Sequence, residues 1–91
     1  LYRPALLLTA EAALSIPGLT LDTLEAAAIP DLSGAELLLL GSGPTLKRSA
    51  RTFVEGLRAR NIRIEPMDSA AAARTYNVLA AEERLVAALI L

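Results

Sequence analysis

Ninety-one residues with a net charge of −1 and a hydrophobic content of 54% make one packed domain with a single modest core. Only Tyr2, Phe53 and Tyr76 are aromatic, so that core is built from Leu, Ile, Val and Ala. The absence of histidine and cysteine excludes an imidazole base, a thiolate nucleophile, a disulfide and zinc-finger, haem or iron–sulfur ligation.

Residues 4–9 are a short continuous apolar run, read as a strand. Residues 11–16 alternate poorly and stop at Pro17 and Gly18, a turn pair, which leaves a short strand or an extended connector. Asp22 is placed to cap a helix over residues 23–28, with Leu24, Ala27 and Ala28 facing inward and Pro30 ending it. Residues 36–40 are apolar without alternation, as a strand covered on both faces is. After a loop from Gly41 to Thr45, Ser42 or Thr45 can cap a helix that buries Leu46, Ala50, Phe53, Val54 and Leu57. Arg51 and Glu55 stand one turn apart on its outer side. Asn61, which tolerates the left-handed conformation, closes it.

Residues 62–65 alternate and end at Pro66, which predicts a strand. Asp68 or Ser69 then caps a helix whose four alanines, Ala70 to Ala73, have the best intrinsic helix propensity. Ala71, Thr75, Val78 and Leu79 share one face of it, and Arg74, Asn77 and Ala81 form a neighbouring ridge. Residues 85–91 form the last strand, and this run is far shorter than the roughly 18 residues of a membrane-spanning helix. The order of strands and helices predicts an α/β domain with right-handed crossovers. Its expected core contains Leu38, Leu40, Phe53, Leu57, Ile62, Val78, Leu79, Val86 and Leu89. With no secretory leader, the expected compartment is the cytoplasm.

The run Met67-Asp68-Ser69, followed by Ala71-Ala72, Arg74-Thr75-Tyr76-Asn77-Val78-Leu79, Glu82 and Arg84 and preceded by Gly41-Ser42-Gly43, resembles the small Mth-like domain family. That family includes bacterial and archaeal proteins of unknown function, the adipogenesis-associated Mth domain protein and mitochondrial complex I assembly factor 3. The resemblance spans nearly the whole chain. It implies a three-layer α/β fold with a central mixed sheet, flanking helices and a small extra β element. It also implies residues preceding Leu1, and a mitochondrial location only for a eukaryotic member. Ser69 replaces a usual threonine, Ala73 a common cysteine and Glu83 a common glycine, and the last puts the turn after the helix in question.

Three groups are candidates for function. Gly41, Ser42 and Gly43 follow a strand and open a helix, where backbone N–H groups can cradle an anion. The dinucleotide fingerprint fails because Leu46 takes the place of its third glycine, and a Walker loop fails because no glycine precedes Lys47. Six basic residues, Lys47, Arg48, Arg51, Arg58, Arg60 and Arg63, lie between Gly41 and Ile64 against one acid, Glu55. The acidic balance of the whole chain and the lack of interleaved aromatics speak against nucleic acid. Arg74, Thr75, Tyr76, Asn77, Glu82 and Arg84 are the third group, read either as fold-serving hydrogen-bond partners or as the lining of a pocket beside Gly41–Gly43. Glu82 and Glu83 are adjacent, not opposed as a glycosidase pair is. No catalytic residue, metal or cofactor is implied. The leading expectation is a non-catalytic protein-binding or assembly domain. The alternative is a protein or enzyme that binds a small anionic ligand with the Gly41 loop and the 74–77 helix.

Overall fold

The computed structural model describes residues 5–10, 12–16, 19–21, 24–30, 32 and 34–91. Among them, β1 (Ala5–Leu8), β2 (Ala13–Ile16), β3 (Leu37–Gly41), β4 (Arg63–Met67) and β5 (Val86–Ile90) form one mixed sheet in the order β2-β1-β5-β3-β4. β5, β3 and β4 run parallel, and β1 pairs antiparallel with both β2 and β5. α1 (Arg51–Arg58) joins β3 to β4, and α2 (Ser69–Ala81) joins β4 back to β5. The two crossovers travel in opposite directions, so the right-handed rule places their helices on opposite faces. Three layers result.

β5 shows why the central strands are apolar throughout. Its Ala87 and Leu89 pack in one cluster with Phe53 and Leu57 of α1, while Val86 and Ala88 pack in another with Ala72 of α2. Both faces are covered, as the lack of alternation predicts. Of the two readings of residues 11–16, the short strand holds: β2 is a four-residue antiparallel strand on β1. At the other edge β4 runs through Pro66 to Met67 instead of stopping before the proline. An edge strand has an open side on which a missing N–H costs no ladder bond.

Two expected helices are shorter than predicted. Of the helix over residues 23–28, Asp22 and Thr23 lie outside the described residues, and the remainder forms one 3₁₀ turn, Ala26–Ala28, entered from an extended Glu25. Leu24 is buried, but Ala27 and Ala28 are exposed. A stretch this short, closed by Pro30, makes too few helical bonds to offset nucleation. The Arg60 guanidinium instead donates to the carbonyls of Ala26, Ile29 and Pro30 at 3.2, 2.9 and 2.9 Å. α1 begins at Arg51, and Leu46 and Ala50 are exposed outside it. Neither Ser42 nor Thr45 caps it. The Ser42 hydroxyl accepts from Lys47 N–H at 2.8 Å and lies 2.7 Å from Thr45 O and 3.2 Å from Met67 O, which holds the loop in a non-helical course against β4. Asn61 closes α1 at φ 62°, as expected, with its N–H on Arg58 O at 2.8 Å.

α2 starts on Asp68, whose carboxylate accepts from Ala71 N–H at 2.7 Å. Its inward stripe is Ser69, Ala72, Tyr76 and Leu79, not the expected Ala71, Thr75, Val78 and Leu79. Val78 is 57% exposed and leaves the expected core; Leu79 is half-buried and the other seven expected residues are buried. The phase is set where the helix crosses β3. A Cβ on Gly41 would stand 2.9 Å from Ser69 Cα and 3.1 Å from Ala72 Cβ, so only the smallest residues fit inward there.

The end of α2 answers the question raised by Glu83. This residue takes φ 59°, the left-handed region in which glycine is the usual occupant. Its N–H donates to Ala80 O at 3.0 Å, and Arg84 N–H reaches back to Leu79 O at 3.0 Å. The glycine-type turn forms with a side chain in place. Glu83→Gly is therefore expected to raise stability by up to about 1 kcal/mol, the order of strain that a Cβ meets in this conformation. A urea midpoint that moves up with an unchanged slope checks it, and a lower midpoint contradicts it.

Candidate functional site

Gly41, Ser42 and Gly43 lie at the carboxyl ends of the parallel strands, beside the start of α2, where open α/β sheets commonly bind ligands. The backbone donors that would hold an anion are engaged internally. Ser42 N–H donates to Met67 O at 3.0 Å and Gly43 N–H donates to Ser69 Oγ at 2.8 Å. Ser69 Oγ–H donates in turn to Leu91 O at 3.1 Å, and Ser69 N–H donates to Gly43 O at 2.7 Å. The loop, the first turn of α2 and the end of β5 are thereby tied into one knot. The anion cradle read from the glycines is a turn whose N–H groups at Ser42 and Gly43 already have partners.

The helix residues separate from that loop. α2 has 13 residues, which at the usual rise makes it about 20 Å long. It runs antiparallel to β5, so Glu82 and Arg84 lie at the opposite end of the sheet from Gly43. Tyr76 points toward this far end as well: its hydroxyl donates to Thr9 O at 3.0 Å. Thr9 also shapes the β1–β2 turn, through Thr9 N–H to Ala12 O at 2.9 Å and Ala12 N–H to Thr9 Oγ1 at 3.1 Å. Tyr76 thus fastens the hairpin to α2. Thr75 is half-buried, and Arg74 and Asn77 are exposed on the outer face of the helix, unpaired among the described residues. Arg84 and Glu83 border a shallow depression of about 300 Å³ that also takes in Glu36 and Arg63.

A second concavity lies on the α1 side, where Glu36, Val54, Arg58, Asn61, Arg63 and Ile64 are among the residues that line an open cleft of about 570 Å³. The basic residues were legible in the sequence as a cluster, but not the cleft, because it needs α1 and the edge of the sheet side by side. Among the described residues no group of acids could hold a metal ion, and no helix is long and apolar enough to cross a membrane.

A family model described as "Protein of unknown function (DUF498/DUF598)" matches residues 1–91. An uncharacterized protein of Rhodobacter capsulatus is 38% identical over 91 residues, which cover 99% of this chain and 70% of that protein. NADH dehydrogenase [ubiquinone] 1 alpha subcomplex assembly factor 3 of Danio rerio is 38% identical over 56 residues, which cover 62% of this chain and only 32% of that protein. The solution structure of a Bordetella pertussis protein described as a Mth938-like domain superposes with a TM-score of 0.75 at 27% identity, covering 97% of this chain and 73% of that one. The expected three-layer fold and the resemblance carried by residues 67–84 agree with these matches.

Proposed function

The chain belongs to the DUF498/DUF598 family of proteins of unknown function, and from that premise we propose that it is a non-catalytic protein-binding domain serving the assembly of a larger complex. The observation that carries this reading is the division of polar groups on α2. Asp68, Ser69 and Tyr76 are engaged in holding the fold, while Arg74 and Asn77 are exposed and unpaired among the described residues. Exposed polar groups that the fold does not use are available to a partner at little cost in stability. Glu82 and Arg84 continue this surface at the end of the helix. The name of the zebrafish relative, an assembly factor, supports the direction, and an assembly role in the cytoplasm is part of the proposal. The alternative of a small anionic ligand at Gly41–Gly43 is weakened by the engagement of the Ser42 and Gly43 N–H groups.

Affinity purification with mass spectrometry, run on wild type and variants beside urea unfolding, tests it. Arg74→Ala and Asn77→Ala are expected to change stability by no more than about 0.5 kcal/mol, as exposed substitutions do, and to lose a partner that wild type retains. Tyr76→Phe is expected to cost about 0.5–1.5 kcal/mol, the net contribution of one hydrogen bond, and to keep that partner. If Arg74→Ala and Asn77→Ala both retain every partner of the wild type, the α2 surface is not the binding site.

A further inference from the structure

The cleft on the α1 side is longer than its main part. A smaller depression of about 160 Å³, lined by Arg48, Ser49, Val54, Ile64 and Pro66, adjoins it and shares Val54 and Ile64 with it. Together they form a groove between α1 and the outermost strand, with an aliphatic floor of Val54 and Ile64. Arg48 stands at one end and Arg58 at the other, both exposed and unpaired among the described residues.

The wall of this groove is an open sheet edge. Among the described residues β4 pairs with β3 alone. Arg63 N–H donates to Glu36 O at 2.9 Å, and Met67 O accepts from Ser42 N–H at 3.0 Å. In a parallel ladder the residues bonded to one neighbour alternate with residues whose groups point the other way. Residues 63, 65 and 67 therefore serve β3, and Ile64 directs its N–H and C=O to the open side. Pro66, next in that outward series, contributes a carbonyl alone. An added strand thus finds one donor with acceptors around it, above an apolar floor and between two free guanidinium groups. Charge selects what enters. Arg48, Arg58 and Arg63 line the groove against one acid, Glu36, so its lining is net basic and favours an acidic segment.

We propose that this groove binds an extended acidic segment of a partner protein as an added β-strand. Its backbone pairs with Ile64, its apolar side chains rest on Val54 and Ile64, and its carboxylates reach Arg48 and Arg58. A nucleic acid fits less well: the groove floor offers no aromatic ring for a base to stack on. The groove lies across the sheet from Arg74 and Asn77, so it is a second surface and not a refinement of the first.

The test is fluorescence anisotropy of a short labelled peptide that alternates valine with glutamate. Its controls are the same peptide with lysine for glutamate and a single-stranded oligothymidylate. The acidic peptide is expected to bind and the two controls to fail. Arg48→Glu and Arg58→Glu are each expected to weaken binding about tenfold or more without changing the circular dichroism spectrum. Hydrogen exchange at the Ile64 amide is expected to slow when the acidic peptide is bound, which reports the strand pairing itself. Arg74→Ala is expected to leave peptide binding unchanged. The proposal is overturned if the acidic peptide does not bind, if oligothymidylate binds as well as it does, if the arginine reversals have no effect, or if Ile64 exchange stays the same. Loss of a cellular partner by Arg74→Ala alone would sustain the α2 reading whatever the peptide does.

Discussion

Phe53→Ala is expected to cost about 3–5 kcal/mol, the usual range for removing a large buried aromatic side chain. Phe53 is 1% exposed and packs with Leu38, Leu40 and Leu57 in the cluster between α1 and the sheet. The size of the effect follows from how little else holds α1. The helix has eight residues, its cap Ala50 makes no side-chain bond, and its fully buried residues are Phe53 and Leu57. A helix so short is not stable by its own hydrogen bonds. Removing the ring leaves Leu57 as the one fully buried side chain of α1. For a domain of this size, with about 5–14 kcal/mol of total stability, that is a large share. Urea unfolding measures it, and a midpoint equal to that of wild type would mean that α1 does not rest on the sheet through this face.

Gly41→Ala is expected to destabilise by about 2–4 kcal/mol, although a glycine replaced by alanine in an extended strand ordinarily gains from a less flexible unfolded chain. The difference lies in the contact with α2. The new methyl would meet Ser69 Cα at 2.9 Å, and that atom is backbone, so no rotamer change relieves it. Ser69 cannot yield without loss. Its Oγ bonds Gly43 N–H at 2.8 Å and Leu91 O at 3.1 Å, and the neighbouring Asp68 holds the first turn through Ala71 N–H at 2.7 Å. The substitution therefore combines overpacking with weakened hydrogen bonds, each a cost of order 1 kcal/mol or more. A Gly41→Ala protein as stable as wild type would show that α2 lies farther from β3 than this packing requires. The outcome also bears on the glycine loop, because a close helix–strand contact accounts for Gly41 without any ligand.

Much of this was written in local chemistry. Residues 36–40 and 85–91 are apolar without alternation, and β3 and β5 are indeed covered on both sides. Asp68 caps α2 because a carboxylate before a run of alanines has free N–H groups within reach. Asn61 closes α1 because it tolerates the left-handed conformation. The misreadings are of another kind. Leu46 has helical spacing with Phe53 but is exposed, since Ser42 and the edge of β4 hold its loop. Apolar spacing alone does not reveal a competing hydrogen bond from a distant strand.

The candidate site divides in the same way. That Arg74, Asn77, Glu82 and Arg84 are polar residues on or just after a helix was legible; that Tyr76 reaches Thr9 while Gly43 sits at the far end of that helix was not. The sequence by itself determined the types and order of the main elements, the aliphatic core and the exclusion of imidazole and thiol chemistry, because these depend on composition and on neighbours within a turn or two. Tertiary structure alone decided which face of α2 turns inward, with Val78 outside and Ala72 beneath it, because that phase depends on a close approach to Gly41 on another strand. It alone also left β4 at the edge with Ile64 facing outward beside α1, since which strand lacks a neighbour is a property of the assembled sheet and not of any one segment.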